Sequence, residues 1–191
     1  MKKILIGSLV GAIILFIWSF LAWALLPIHL HTLNYTPAQD SILKVLADNN
    51  LETGAYAMPM ADNRNVHGFD KKFMEESEKA MKENAGMPMA TIHYLKEGYD
   101  MSPGTMIRGF IFDFLAALAV CLLLAPTFAK MSSFFGRWWL MLLVGLLLAC
   151  TGPLLEYNWM AYSWDYTVDM VLDGFLNWAI TGLWFAWYFK N

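Results

Sequence analysis

The sequence predicts a membrane protein of the all-α class, with four transmembrane helices and a small periplasmic α/β insertion between the first and second. Three observations predict it. The 191 residues are 58% hydrophobic, with nine Trp and 13 Phe, and a mean hydropathy of +0.44 is too apolar for an ordinary soluble domain. The excess is concentrated in runs of the roughly 20 residues needed to span a bilayer. Between the first two runs the character reverses: residues 27–105 carry seven basic and eleven acidic side chains.

The first run, ILIGSLVGAIILFIWSFLAWALL (4–26), follows Lys2 and Lys3. Ala22-Trp23-Ala24 resembles a signal-peptide cleavage site, but the apolar stretch is longer than the roughly 7–15 residues of a signal h-region and suits a span. Gly7 and Gly11 form a small-xxx-small face for helix packing. Pro27 ends this helix, so residues 1–26 form the first segment. In the insertion, SILKVLADN (41–49) has the spacing of a short helix, with Asp40 or Ser41 as cap. TGAYAMPM (53–60) reads as a strand. GFDKKFMEESEKAMKENAG (68–86) is an amphipathic helix with Phe69, Phe73, Met74, Ala80 and Met81 on its apolar side, closing on Gly86. MPMATIHYL (87–95) alternates like a second strand. Ser102-Pro103-Gly104 then turns into residues 106–191, with spans at 109–129, 138–155 and 167–189.

Lys2, Lys3, Lys130, Arg137 and Lys190 lie in the N-terminus, the loop between spans 2 and 3, and the C-terminus, with no acidic residue in those segments. The positive-inside rule therefore puts both termini in the cytoplasm and residues 27–105 outside. Aromatic belts give the same map. Trp138, Trp139, Trp184, Trp187 and Tyr188 mark the inner interface, while Tyr157, Trp159, Tyr162, Trp164 and Tyr166 mark the outer. The density of the outer group makes Trp159, Tyr162 and Trp164 candidates for a protein or lipid contact.

Two constellations carry possible chemistry. Met-Pro-Met-Ala occurs twice, at 58–61 and 87–90. Met58, Met60, Met87 and Met89, with His67 and His93, are soft and imidazole donors of the kind that suits Cu(I), and His29-x-His31 offers two more. The competing reading is structural: Pro59 and Pro88 hold their neighbours extended, and the methionines pack under the helices as two strands cover a small core. The second constellation is an intramembrane polar cluster of Arg108, Asp113, Glu156, Asp169, Asp173 and Asn177, all placed near the outer ends of the spans. Ionisable residues within spans are costly and are functional candidates for that reason. They read either as a proton or cation site or as inter-helix polar contacts, with Arg108 paired to Asp113 or Asp173. Cys121 and Cys150 sit within apolar runs and read as small embedded residues.

Gly-x-Ser-x-Gly, His-Glu-x-x-His and a glycine-rich phosphate loop are all missing, so no enzyme is predicted. No basic run suggests nucleic acid. FIWSFLAWALLPIHLHTLN, GAYAMPM, GMPMATIHY and the three-span tail together resemble an uncharacterised family of small bacterial four-span inner-membrane proteins. In that family a Trp-rich first span ends in Leu-Pro-x-His and a periplasmic insertion follows. The resemblance covers the whole chain and implies a topology and a bacterial inner-membrane location, without an activity; a doubled Met-Pro-Met is not part of its pattern. The expected function is an accessory or scaffold subunit that binds other membrane protein subunits within the lipid. The alternatives are Cu(I) handling on the outer side, with copper as the only cofactor in view, and proton or cation coupling through the acidic cluster.

Overall fold

The computed structural model describes residues 1–68 and 70–190; Phe69, expected on the apolar side of an amphipathic helix, lies outside the described residues. The chain is mostly helical. In order, it forms α1 (Lys2–Ala24), a 3₁₀ turn (Pro27–His29), α2 (Gln39–Asp48), β1 (Gly54–Met58), α3 (Lys71–Glu83), β2 (Ala90–Tyr94), α4 (Pro103–Phe128), α5 (Phe134–Thr151), α6 (Pro153–Met160) and α7 (Trp164–Tyr188). It divides into two compact units, one of residues 1–35 with 100–191 and one of residues 36–99.

Three helices of the first unit are long and apolar enough to cross a membrane: α1, α4, and α5 continued by α6 over Phe134–Met160. The break between α5 and α6 has a local cause. Gly152 takes a non-helical conformation, and Pro153 supplies no N–H while its fixed φ suits the first turn of a new helix. Between β2 and α4, the expected turn at Ser102-Pro103-Gly104 is instead a helix start, with Ser102 as N-cap and Pro103 at the first helical position. α7 spans 25 residues. It falls outside the apolar set because Asp165, Asp169, Asp173 and Asn177 interrupt its hydrophobic sequence.

The core of this unit is built where small residues let helices close up. A Cβ added to Gly11 would come within 2.5 Å of the Phe185 ring of α7, and one on Gly7 within 2.7 Å of the ring of Phe189, just past α7. Gly182 of α7 leaves room for Met141 of α5, whose Cβ would lie 2.5 Å from an added methyl. Ala12, Leu15, Cys121, Phe128, Met141 and Phe185 are buried together in this core. Close approach also brings indole donors to helix carbonyls: Trp138 Nε1 donates to Ala179 O at 2.9 Å, and Trp184 Nε1 to Gly7 O at 3.1 Å. These two tryptophans, expected as interface anchors, thus tie helices together, while Trp139 and Trp187 remain exposed.

The second unit contains the antiparallel pair β1–β2, with Gly54 opposite Tyr94 and Met58 opposite Ala90. Both strands are shorter than the alternation suggested. Lys96 closes one end, its N–H donating to Thr53 Oγ1 and its Nζ to Glu52. α3 is capped by Asp70, which accepts from Phe73 N–H. The first Met-Pro-Met begins at the last residue of β1, where the Met58–Pro59 peptide is cis, and the second stands just before β2. Among the described residues of this unit only Leu46 is buried. The small core that the methionines were expected to line is therefore not formed by them.

Candidate functional site

The residues that come together are not the six acidic, basic and amide side chains grouped by depth. Asp169 and Asp173, four apart on one face of α7, meet the segment that follows α1. Leu25 and Leu26 both donate backbone N–H to Leu21 O. Pro27, unable to continue the helix, opens the 3₁₀ turn, and Thr32 N–H then donates to His29 O at 3.4 Å. His29 and Thr32 consequently stand one turn apart and face the two carboxylates.

Four hydrogen bonds define the site. Trp18 Nε1 donates to Asp173 Oδ1 at 2.6 Å. His29 Nε2 lies 3.1 Å from Asp173 Oδ2, and His29 Nδ1 lies 3.0 Å from Thr32 Oγ1. Thr32 Oγ1 donates to Asp169 Oδ2 at 2.6 Å. The His29 side chain is 3% exposed and that of Asp173 12%. Trp23 covers the imidazole face to face, with ring centroids 3.9 Å apart and planes at 9°. One turn deeper, Asn177 Nδ2 donates to Ser19 Oγ at 3.3 Å, and Ser19 Oγ donates to Leu15 O. Asn177 Oδ1 and Thr181 Oγ1 are buried and have no hydrogen-bond partner among the described residues. Asp169, Asp173, Asn177 and Thr181 therefore make a polar stripe along α7.

Arg108, expected to pair with Asp113 or Asp173, does neither. Its Nη2 donates to Thr105 Oγ1 at 3.0 Å, one turn back on its own helix. The partner of Asp173 is His29. Asp113 is half-buried and joins no hydrogen bond among the described residues, and Glu156 is exposed on α6. The sequence offers His29 only as an added copper ligand and gives no role to Trp18, Ser19 or Thr32. The one signal for them was a histidine two residues after the proline that ends the first span.

A second buried charge lies at the other end of α7. Arg137 is 3% exposed; its Nε donates to Ala186 O at 2.7 Å and its Nη1 to Met131 O. The residue that marks topology in the sequence thus also holds the loop before α5 against the end of α7.

In the second unit, Met58, Pro59, Asn84, Met87, Pro88 and Met89 line one shallow pocket. Met60, His67 and His93 are not part of that lining, and no cluster of three His, Cys, Asp or Glu side chains suited to a metal occurs among the described residues. All four methionines are exposed, at 40%, 54%, 64% and 62% in chain order. Of the outer aromatics, Trp159 and Trp164 are exposed, Trp164 packing edge-on against Tyr157, while Tyr162 is half-buried beside Tyr166. Compared with known proteins, the chain matches no family model, no curated protein and no solved structure.

Proposed function

We propose that this chain is a four-span bacterial inner-membrane protein with both termini cytoplasmic and residues 27–105 outside, serving as an accessory or scaffold subunit of a larger membrane complex. The observation that carries the reading is the exposed character of the unit from Thr36 to Tyr99. Its one buried side chain among the described residues is Leu46, and Ile42, Leu43, Val45, Met74 and Met81 lie on its surface. Apolar side chains left open on a water-facing module mark an interaction surface. α7 supplies the fourth span: 25 residues cover the bilayer, and its Asp169 and Asp173 carboxylates and Asn177 amide N–H are hydrogen-bonded inside the unit, as a span requires. Gentle extraction from the native membrane tests the reading. A stable set of co-purifying membrane proteins is expected, and replacing residues 36–99 by a short linker should remove it while leaving the chain in the membrane. A wild-type chain extracted alone sinks the proposal.

A second reading, Cu(I) handling, is favoured by one observation: three methionines, Met58, Met87 and Met89, line a single pocket. Thioethers are soft donors that select Cu(I) over divalent ions. A competition titration of the detergent-solubilised chain with Cu(I) is expected to give one equivalent, lost in the Met58→Leu/Met87→Leu/Met89→Leu variant and retained in Met60→Leu. Equal binding by wild type and the triple variant disposes of this reading.

A further inference from the structure

The chain of contacts Asp169–Thr32–His29–Asp173 has three hydrogen bonds, and each needs one proton between its two heavy atoms. Neutral His29, the Thr32 hydroxyl and two ionised carboxylates supply only two protons. The third must be added. We propose that these four residues form a proton-binding site that holds one exchangeable proton and passes it between the two carboxylates of α7.

Three arrangements satisfy every contact, and all contain the same number of protons. In the first, Asp169 is a carboxylic acid that donates to Thr32, Thr32 donates to His29 Nδ1, and His29 Nε2–H donates to Asp173. In the second, the Asp169 proton has moved to Thr32 Oγ1 as the hydroxyl proton has moved to His29 Nδ1, leaving an imidazolium between two carboxylates. In the third, the Nε2 proton has passed to Asp173 Oδ2, which donates back to a neutral ring. Each step breaks one O–H or N–H bond for each one formed, and the net charge of the four groups stays at −1. The 2.6 Å contact from Trp18 Nε1 to Asp173 Oδ1 is of the charge-assisted kind, which selects an ionised Asp173. Trp23, flat against His29, favours a cationic ring. The second arrangement is thus the resting one, and Asp169 is the half-buried end through which the proton enters and leaves.

None of the hydrogen bonds and ion pairs given above for the described residues brings another titratable group to this proton. Asp165 and Tyr166 on α7, Arg108 and Asp113 on α4, Lys2 and Lys3 on α1, Glu156 and Tyr157 on α6, and Arg137 on α5 make no hydrogen bond or ion pair to the four residues, and His31 follows the turn without joining them.

Net charge at neutral pH tests the proposal in the full chain. Asp169→Asn and Asp173→Asn each put an amide N–H where the added proton sat, so each keeps three hydrogen bonds with a neutral imidazole. Both variants should leave the electrophoretic mobility in uncharged detergent unchanged, whereas Asp165→Asn, at an exposed carboxylate, should shift it by one unit of positive charge. A shift in either variant equal to that of Asp165→Asn overturns the proposal. Imidazole ¹⁵N spectra of the wild type, with the His29 signals assigned by their loss in His29→Gln, supply a readout that no variant's folding affects. Both ring nitrogens should be proton-bonded at neutral pH; a bare, unbonded nitrogen refutes the site.

Discussion

Asp62 shows at the scale of a single residue how a side chain is tuned here without burial. Arg64 Nε and Nη2 donate to its two carboxylate oxygens at 2.9 and 2.6 Å, and Arg64 N–H adds a third bond at 3.1 Å. The guanidinium bonds first, then the backbone bond, stabilise the ionised form and take Asp62 from 3.8 down to about 2. The sign follows from the depressed value. The stabilising contribution is present above 3.8 and is lost as pH falls through about 2. Both groups are in water, so the effect on unfolding is small and screened by salt. Carboxyl NMR of the full chain should find Asp62 titrating near the lower value, and Arg64→Ala should return it toward the ordinary one. A titration unmoved by Arg64→Ala shows that the fork is not made in solution.

Among the elements, the contact of α5 with α7 depends on Gly182 in a way that Gly174 of the same helix does not share. A methyl on Gly182 meets Met141 Cβ at 2.5 Å, and Cβ moves only with its backbone, whereas nothing lies within 4 Å of a methyl on Gly174. Gly182→Ala should therefore cost about 1–3 kcal/mol by overpacking. Gly174→Ala should be neutral or slightly stabilising, since Ala is the better helix former by about 1 kcal/mol. Thermal unfolding of the two variants in the same detergent checks the contrast, and equal losses would show that the helices do not pack at Gly182. Helix order was legible because apolar length and Pro or Gly breaks are local properties. The strands of GAYAM and ATIHY were legible too, although the flanking prolines cut them shorter than the alternation implied. The polar site was harder to read. Asp173 and its four-residue partner Asp169 stand out in an apolar run, but nothing local indicates that the matching donors lie more than a hundred residues earlier. Arg108 was the obvious cation by sequence proximity to the spans, yet a threonine one turn away satisfies it first.

For the molecule as a whole, the polar stripe of α7 bears on how the chain is made. A helix carrying Asp165, Asp169, Asp173 and Asn177 inserts less readily by itself, since each carboxylate in a span adds a cost that peaks at about 2.5–3.5 kcal/mol at the span's centre. Its partners Trp18, Ser19, His29 and Thr32 are all made earlier, far upstream in the sequence. α7, on the four-span reading, thus finds its polar partners in an earlier helix, α1, and in the turn that follows it. On the four-span reading, removing residues 1–35 should strand the C-terminus on the wrong side of the bilayer, as reporter fusions at Lys190 would reveal. Correct placement of α7 without that segment would show that it enters unaided. On that reading, a chain whose α1 is misplaced leaves the carboxylates of α7 without their donors in the membrane.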